Sequence, residues 1–354
     1  MAVFHSIGVM SGTSLDGIDM VEVVFELQNG KWQFTIGHTD FLPYTEAWRH
    51  QLSQLMNASA LQYVKTNNDY GLLTAGAINS FMERYHLSKP DVIGVHGHTI
   101  FHHPAEAYTT QIGNAAIIAA QTKCLVASDF RSMDVARGGQ GAPLVPIGDQ
   151  LLFADYSACM NIGGFANISF NHSNHSKAFD IGPANIVMNP IARKLGFPYD
   201  DKGMLARQGY VDTKLLKALD SLDYYQQKPP KSLGKEWVDN TFLPLISKQI
   251  QAKDVLRTLV EHISNKIAQV LNAEQISSVL LTGGGAFNDF LIERVRAKTS
   301  VEIVIPSDKM VEMKEAVIFA FLGVLRLLNR PNIISENTGA AYPSISGALY
   351  NGQV

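Results

Sequence analysis

The sequence predicts an α/β protein of two lobes facing each other across a cleft, and three observations carry that expectation. Two hairpins of apolar alternation fold over turns of small residues, one at Gly12–Asp19 and one at Gly163-Gly164. Each is followed by alternating helical and strand-like segments, so one order of elements occurs twice without a residue-level repeat. A chain of 354 residues also exceeds what one compact core holds.

The elements follow in order. Phe4–Met10 and Ile18–Leu27 read as strands over the first turn, and Asn29-Gly30 is a strong hairpin signal before a third strand, Trp32–Phe41. Glu46–Met56 and Leu61–Leu87 carry apolar residues at helical spacing. Asp91–His96 and Cys124–Ser128 read as buried strands, with Ala115–Ala120 helical between them. A second set of strands, Ala158–Ile162, Ala166–Phe170 and Lys177–Ile181, is separated by Gly163-Gly164 and the polar run 171–176. Asp254–Leu271 has one apolar stripe of Leu256, Leu259, Val260, Ile263, Ile267 and Val270. Then come Ser278–Leu281, a glycine turn, Val301–Ile305 and the apolar helix Lys314–Leu328, stopped at Asn329-Arg330-Pro331. The crossover between lobes is expected near 125–150, at the loop Arg137–Pro143. This places residues 1–127 with 335–354 in one lobe and 128–334 in the other.

Bulk properties exclude several classes. Hydrophobic residues make up 46% and charged residues 17%, as in ordinary globular proteins. A net charge of −3 offers no basic field for nucleic acid or an anionic membrane. Cys124 and Cys159 lie in apolar stretches without a C-x-x-C partner, so they read as small core residues in a reducing compartment. The N-terminus lacks the pattern of a signal peptide, and Val317–Leu328 falls short of the roughly 20 residues a bilayer span needs. A cytoplasmic protein is expected.

Three glycine turns could do chemistry. In Val9–Met20 the glycines let backbone approach a ligand, while successive N–H groups and hydroxyls can cradle an anion. Asp16 and Asp19 add carboxylates that a phosphate tolerates with a cation between them. The turn is neither a Walker loop nor a dinucleotide fingerprint. Asn161–Ser169 is a second hairpin with small residues at its turn. Val279–Asn288 is a strand running into Gly283-Gly284-Gly285 and then a helix, a junction that packs backbone against a ring or phosphate. The cluster His96, His98, His102 and His103 invites a zinc reading, but no carboxylate or cysteine stands at matching spacing. Surface or ligand-contacting histidines are the expectation.

Taken together, the two hairpin loops and the glycine-rich turn resemble the sugar kinase, Hsp70 and actin superfamily. Within it, V-M-S-G-T-S-L-D-G-I-D at 9–19 closely resembles the signature of the anhydro-N-acetylmuramic acid kinase family. Similar segments are His96–Ile100, Ser128–Arg131, Gly138–Pro143, Asn161–Ser169, Asp180–Asn185 and Thr282–Asn288, in the expected order across nearly the whole chain. The resemblance implies two RNase H-like (actin-like ATPase) lobes, each a mixed five-stranded sheet with flanking helices. It implies an ATP-dependent reaction on 1,6-anhydro-N-acetylmuramic acid. Water adds at the anomeric carbon, the bridge opens, and the freed O6 takes the γ-phosphoryl group. N-acetylmuramic acid 6-phosphate and ADP result, in cell-wall recycling. ATP, Mg2+ and a homodimer come with it. The nearest rivals are a kinase for another sugar, such as levoglucosan, and an ATP-gated binding protein.

Site residues follow from the matched motifs. Gly12, Thr13, Ser14, Leu15, Asp16, Gly17, Ile18 and Asp19 would hold phosphates, with Asp16 on Mg2+. Gly163, Gly164 and Asn167 form a second phosphate loop, and Gly283, Gly284, Gly285 and Asn288 form the adenosine loop. Asp180, expected at a strand's end facing a turn, is the candidate general base; its alternative is an N-cap for a helix near Pro183. Glu315, expected at the start of a helix, either contacts sugar or complements the helix dipole. Arg131 suits the lactyl carboxylate, or pairs with Asp129 or Asp134. Thr99, expected on a loop, is a further sugar contact. The chain departs from the family pattern at Ile181, Ala184, His98 and Gly148-Asp149.

Overall fold

In the computed structural model, β1 (Ala2–Met10) runs antiparallel to β2 (Gly17–Gln28), with Met10 opposite Asp19. β3 (Lys31–Pro43) returns along β2 through a turn in which Asn29 and Gly30 take φ of 51° and 79°. Those two positive angles are what a two-residue hairpin turn demands, and Asn-Gly supplies them at little steric cost. Residues 1–12, 14–170, 177–229, 231–274 and 276–352 are described. Thr13 and the polar run 171–176 lie outside the described residues.

Two compact units divide the chain. The first comprises Met1–Leu152 and Met313–Val354. After β3 come α1 (Glu46–Gln54) and α2 (Ala60–Arg84), capped by Thr45 and Ser59. β4 (Val92–Val95) pairs in parallel with β1. β5 (His98–His103) and β6 (Tyr108–Ile112) form a separate antiparallel ribbon. α3 (Ala115–Thr122) leads to β7 (Leu125–Ser128), parallel to β4, and α4 (Ser132–Ala136) and α5 (Pro146–Leu152) complete the segment.

The second unit is Phe153–Glu312. It opens with the meander β8 (Ala158–Ile162), β9 (Phe165–Phe170) and β10 (Lys177–Pro183). Then follow α6 (Asn185–Lys194), α7 (Thr213–Asp220), the single turn α8 (Lys235–Trp237) and α9 (Ala252–Ala273). β11 (Ser278–Thr282), α10 (Asp289–Arg296) and β12 (Glu302–Val304) end it. The chain re-enters the first unit within α11 (Asp308–Leu327), followed by α12 (Ser335–Thr338) and β13 (Ala348–Asn351).

The sheets run β13-β7-β4-β1-β2-β3 and β10-β9-β8-β11-β12. Counted within its own unit, each contains the order third, second, first, fourth, fifth. The first two neighbours are antiparallel and the last two parallel, the RNase H-like arrangement. One correction applies: the first sheet has a sixth strand, because β13 pairs antiparallel with the edge strand β7.

The division also differs from the expected 127/128 and 334/335, since it falls at 152/153 and 312/313. Packing explains the shift. Ala316–Leu322 share a core with Val21, Val92, Ala127, Phe130 and Leu144, so both the segment after β7 and most of α11 belong to the first sheet. A Cβ on Gly8 or Gly94 would lie 1.9 or 2.0 Å from the carbonyl oxygens of Ala316 and Phe319. Only glycine admits a helix backbone that close. The stripe of α9 packs as expected into the second unit's core, and Cys124 and Cys159 are buried free thiols. Among the described residues no helix is long and apolar enough to cross a membrane.

Candidate active site

The first glycine turn leaves β1 at Ser11, which is buried. Ser11 Oγ lies 2.6 Å from Tyr44 OH and 2.9 Å from His98 Nδ1, and Tyr44 OH lies 2.6 Å from Tyr70 OH. This buried chain fixes the root of the loop. Its tip is exposed: Asp16 Oδ1 accepts from Ser14 Oγ at 2.9 Å and from Gly17 N at 3.0 Å. Leu15 takes φ 59°. Gly17, Ile18 and Asp19 already belong to β2, opposite Pro43, Leu42 and Phe41, and the Ile18 side chain is wholly in the core. Gly17 to Asp19 are therefore part of the strand, and the turn ends at Asp16. Thr13 lies outside the described residues.

His96 and His98 are buried at 5% and 3% exposure, which corrects the expectation of surface side chains. Burial lowers their pKa values to about 3 and about 4, so both are neutral near pH 7. His102 and His103 are exposed, and among the described residues no group of three or more His, Cys, Asp or Glu could hold a metal. Thr99 sits half-buried within β5 rather than on a loop, because the chain pairs directly with β6.

Arg131 pairs with neither Asp129 nor Asp134. Its Nη1 donates to Gly141 O at 2.6 Å, and its Nε and Nη2 lie 3.2 and 2.9 Å from His96 Nε2. Asp134 instead accepts from Gly141 N and Thr338 Oγ1, both at 2.8 Å. Glu315 lies well inside α11, which removes the dipole reading, since Asp308 holds the first turn. The Glu315 side chain is exposed, yet desolvation by the surrounding protein raises its carboxyl, opposed by the charges of Arg131 and Lys314. Beside it Lys314 and Asp149, 4% and 3% exposed, form a 2.7 Å ion pair.

In the second unit, the Gly163-Gly164 turn is held by the start of α6. Asn185 N donates to Gly163 O at 3.1 Å, and Ala184 N and Ile186 N donate to Gly164 O at 2.8 and 3.1 Å. Gly164 and Asn167 are exposed. Of the triple glycine, Gly283 and Gly285 serve packing: a Cβ on either would strike Ile162 of β8 within 2.8 Å. Gly284 is exposed and lines a cavity of about 740 Å³ together with Asn185, Tyr199, Asp200, Lys202 and Asn288. Asn288 also caps α10, its Oδ1 accepting from Leu291 N at 3.0 Å. That volume is ample for a nucleoside.

Asp180 is no N-cap; α6 begins after Ala184 without a side-chain cap. It lies within β10 at a register shift, opposite Asn167, rather than at the strand's end. The residue skipped at that shift is its neighbour Ile181, so Asp180 is the last regularly paired position before the irregularity. Tyr224, Lys231 and Leu233 hold it: Asp180 N donates to Lys231 O at 3.1 Å, Tyr224 OH to Asp180 O at 2.6 Å, and Leu233 N to Asp180 Oδ2 at 2.9 Å. Burial raises its pKa, and the Leu233 N–H opposes the rise. Behind it Tyr225 OH lies 2.7 Å from His262 Nε2, whose Nδ1 lies 2.7 Å from Asp220. Sequence reasoning missed these partners, and it missed Tyr199, Asp200 and Lys202, because none sits in a glycine motif. The Tyr224-Tyr225 pair in a polar stretch was the one available signal.

Comparison with known proteins points one way. Residues 4–352 match the family described as anhydro-N-acetylmuramic acid kinase. A protein of that name from Bacillus thuringiensis (strain Al Hakam) is 33% identical over 380 residues, covering 99% of both chains. Another from Mannheimia succiniciproducens is 33% identical over 373 residues, covering 98% of both. Among solved structures, the activator of 2-hydroxyisocaproyl-CoA dehydratase from Clostridium difficile aligns with TM-score 0.46 at 10% identity, over 90% of this chain and 94% of that one. A ROK family glucokinase from Streptomyces griseus aligns with TM-score 0.40 at 11% identity, over 90% and 99%. With a full-length match in sequence and every matched motif at a loop or strand of the described units, the chain belongs to the anhydro-N-acetylmuramic acid kinase family.

Proposed function

We propose that this chain uses ATP to open and phosphorylate 1,6-anhydro-N-acetylmuramic acid, giving N-acetylmuramic acid 6-phosphate and ADP in cell-wall recycling. Asp180 carries the reading. It is a half-buried residue whose carboxylate has raised proton affinity and accepts one hydrogen bond, with two more fixing its backbone, opposite Asn167 of the second hairpin. In the proposed reaction Asp180 takes a proton from water as its oxygen bonds to the anomeric carbon. The C1–O6 bond breaks, O6 bonds to the γ-phosphorus, and the bond to the β-phosphate oxygen breaks to release ADP. No separate acid is needed, because O6 is captured by phosphorus as it leaves.

Gly12–Asp16 and Gly163-Gly164 would donate to phosphates, and the cavity at Gly284 and Asn288 would take the adenosine. Arg131, Glu315 and Thr99 would contact sugar. Mg2+ would shield the phosphates. Asp16, exposed on its loop, suits a cation held chiefly by phosphate and water rather than by a protein cage. A cytoplasmic location and a homodimer belong to the same reading, and light scattering on the purified chain checks the latter. A coupled assay of ADP release tests the substrate. Turnover of 1,6-anhydro-N-acetylmuramic acid far above levoglucosan and N-acetylglucosamine is expected; preference for levoglucosan, or turnover of none, overturns it.

A further inference from the structure

The turn His96-Gly97-His98 carries two buried imidazoles that the proposed chemistry leaves unused. His96 has a defined state. Its Nδ1 lies 2.8 Å from Gly97 O, which can only accept, so Nδ1 bears the proton. Its Nε2 therefore offers a lone pair, and Arg131 Nη2 and Nε lie 2.9 and 3.2 Å from it. A guanidinium can only donate, so both partners require the same neutral tautomer. The ring is buried and packs against Phe319, with centroids 4.6 Å apart, which restricts its movement away from Arg131.

The consequence lies in what Arg131 has left. Of the five N–H groups of a guanidinium, those on Nε and one on Nη2 point at His96, and one on Nη1 is given to Gly141. One N–H remains on each terminal nitrogen, so two donors are left for the oxygens of a carboxylate. Glu315 acts on Arg131 through its charge, but among the described residues Arg131 makes no ion-pair contact, so Glu315 does not occupy those N–H groups. An ordinary arginine would be held by an acid, which neutralises it. Here a neutral imidazole holds the guanidinium, and the acid that acts on its charge, Glu315, stands beyond ion-pair distance.

We infer that His96 is a positioning residue that aims Arg131 at a carboxylate on the substrate, and so selects acidic 1,6-anhydro sugars over neutral ones. This rests on the reading of Arg131 as a sugar contact. The test is a double-mutant cycle with His96→Phe, which keeps a ring but removes the acceptor, and Arg131→Ala. His96→Gln, which restores an acceptor, is the rescue. KM for 1,6-anhydro-N-acetylmuramic acid, KM for ATP, and the Ki of 1,6-anhydro-N-acetylglucosamine are measured, with thermal unfolding of each variant.

His96→Phe should raise KM for the acidic sugar about tenfold, roughly the worth of one charge-assisted contact, leaving ATP KM and the neutral sugar's Ki within twofold. His96→Gln should recover part of the loss, and the effect of His96→Phe should vanish in the Arg131→Ala background. Additive effects in the cycle, or equal losses for acidic and neutral sugars, overturn the inference. An Arg131→Ala variant with unchanged KM for the acidic sugar overturns instead the reading beneath it. Retained unfolding temperature in His96→Gln keeps the comparison interpretable if His96→Phe is unstable.

Discussion

Asp180 and Glu315 are both carboxylates with raised proton affinity, but the causes of restraint differ. At Asp180 a backbone N–H from Leu233 opposes burial, whereas at Glu315 the charges of Arg131 and Lys314 do so. A general base works only when ionised, so kcat/KM should be full above the raised pKa of Asp180 and fall as pH drops through it. The acid limb is therefore expected above the ordinary aspartate value of about 4. A pH–rate profile checks this, and the limb should persist in Glu315→Gln. A limb at or below the ordinary value, or one abolished by Glu315→Gln, contradicts the assignment to Asp180. Arg131→Lys should raise the sugar KM with little change in ATP KM, because an ammonium cannot present a planar fork. Steady-state kinetics in both substrates decides that. At this scale the sequence was an uneven guide. The motif pointed to Asp180, Arg131 and Glu315, but it could not tell that His96 and His98 are buried, since that depends on residues distant in sequence: Phe319 and Arg131 against His96, and Ser11, Tyr44 and Tyr70 against His98.

The elements around these residues depend on how α11 meets the first sheet. A methyl on Gly94 would lie 2.0 Å from Phe319 O, so either helix or sheet must shift. Gly94→Ala should destabilise by about 1–3 kcal/mol or more, the usual cost of overpacking. Gly76 in α2 meets nothing within 4 Å, and Gly76→Ala should stabilise by about 0.4–1 kcal/mol. Urea unfolding of the two variants gives opposite signs if the packing is as described. The buried Lys314–Asp149 pair makes a second test. Lys314→Met leaves a charge without its counter-ion and should cost about 3–5 kcal/mol, while adding Asp149→Leu should restore much of the loss. The hairpins and the α9 stripe were legible because turn chemistry and periodicity are local. The β5–β6 ribbon and β13 were not, because a short run such as Ala348–Asn351 becomes a strand only when an edge such as β7 is there to pair with it.

For the whole molecule, one topology used twice gives each unit a glycine turn after its first sheet strand. Those turns join β1 to β2 in one unit and β8 to β9 in the other. The repetition of elements was readable from hydrophobic pattern alone. The point of division was not, because a helix that leaves one unit and packs into the other carries no mark in its sequence. Both turns serve phosphate in the proposed reaction, and the chemistry hangs on the Asp180 side chain, opposite Asn167 of the second hairpin. Replacing it with its neutral isostere is the most direct measurement. In Asp180→Asn, ADP release with 1,6-anhydro-N-acetylmuramic acid should fall by about 10²–10⁴, the range general-base catalysis supplies, while ATP affinity stays within a few fold. Turnover close to that of the unaltered protein would contradict the account.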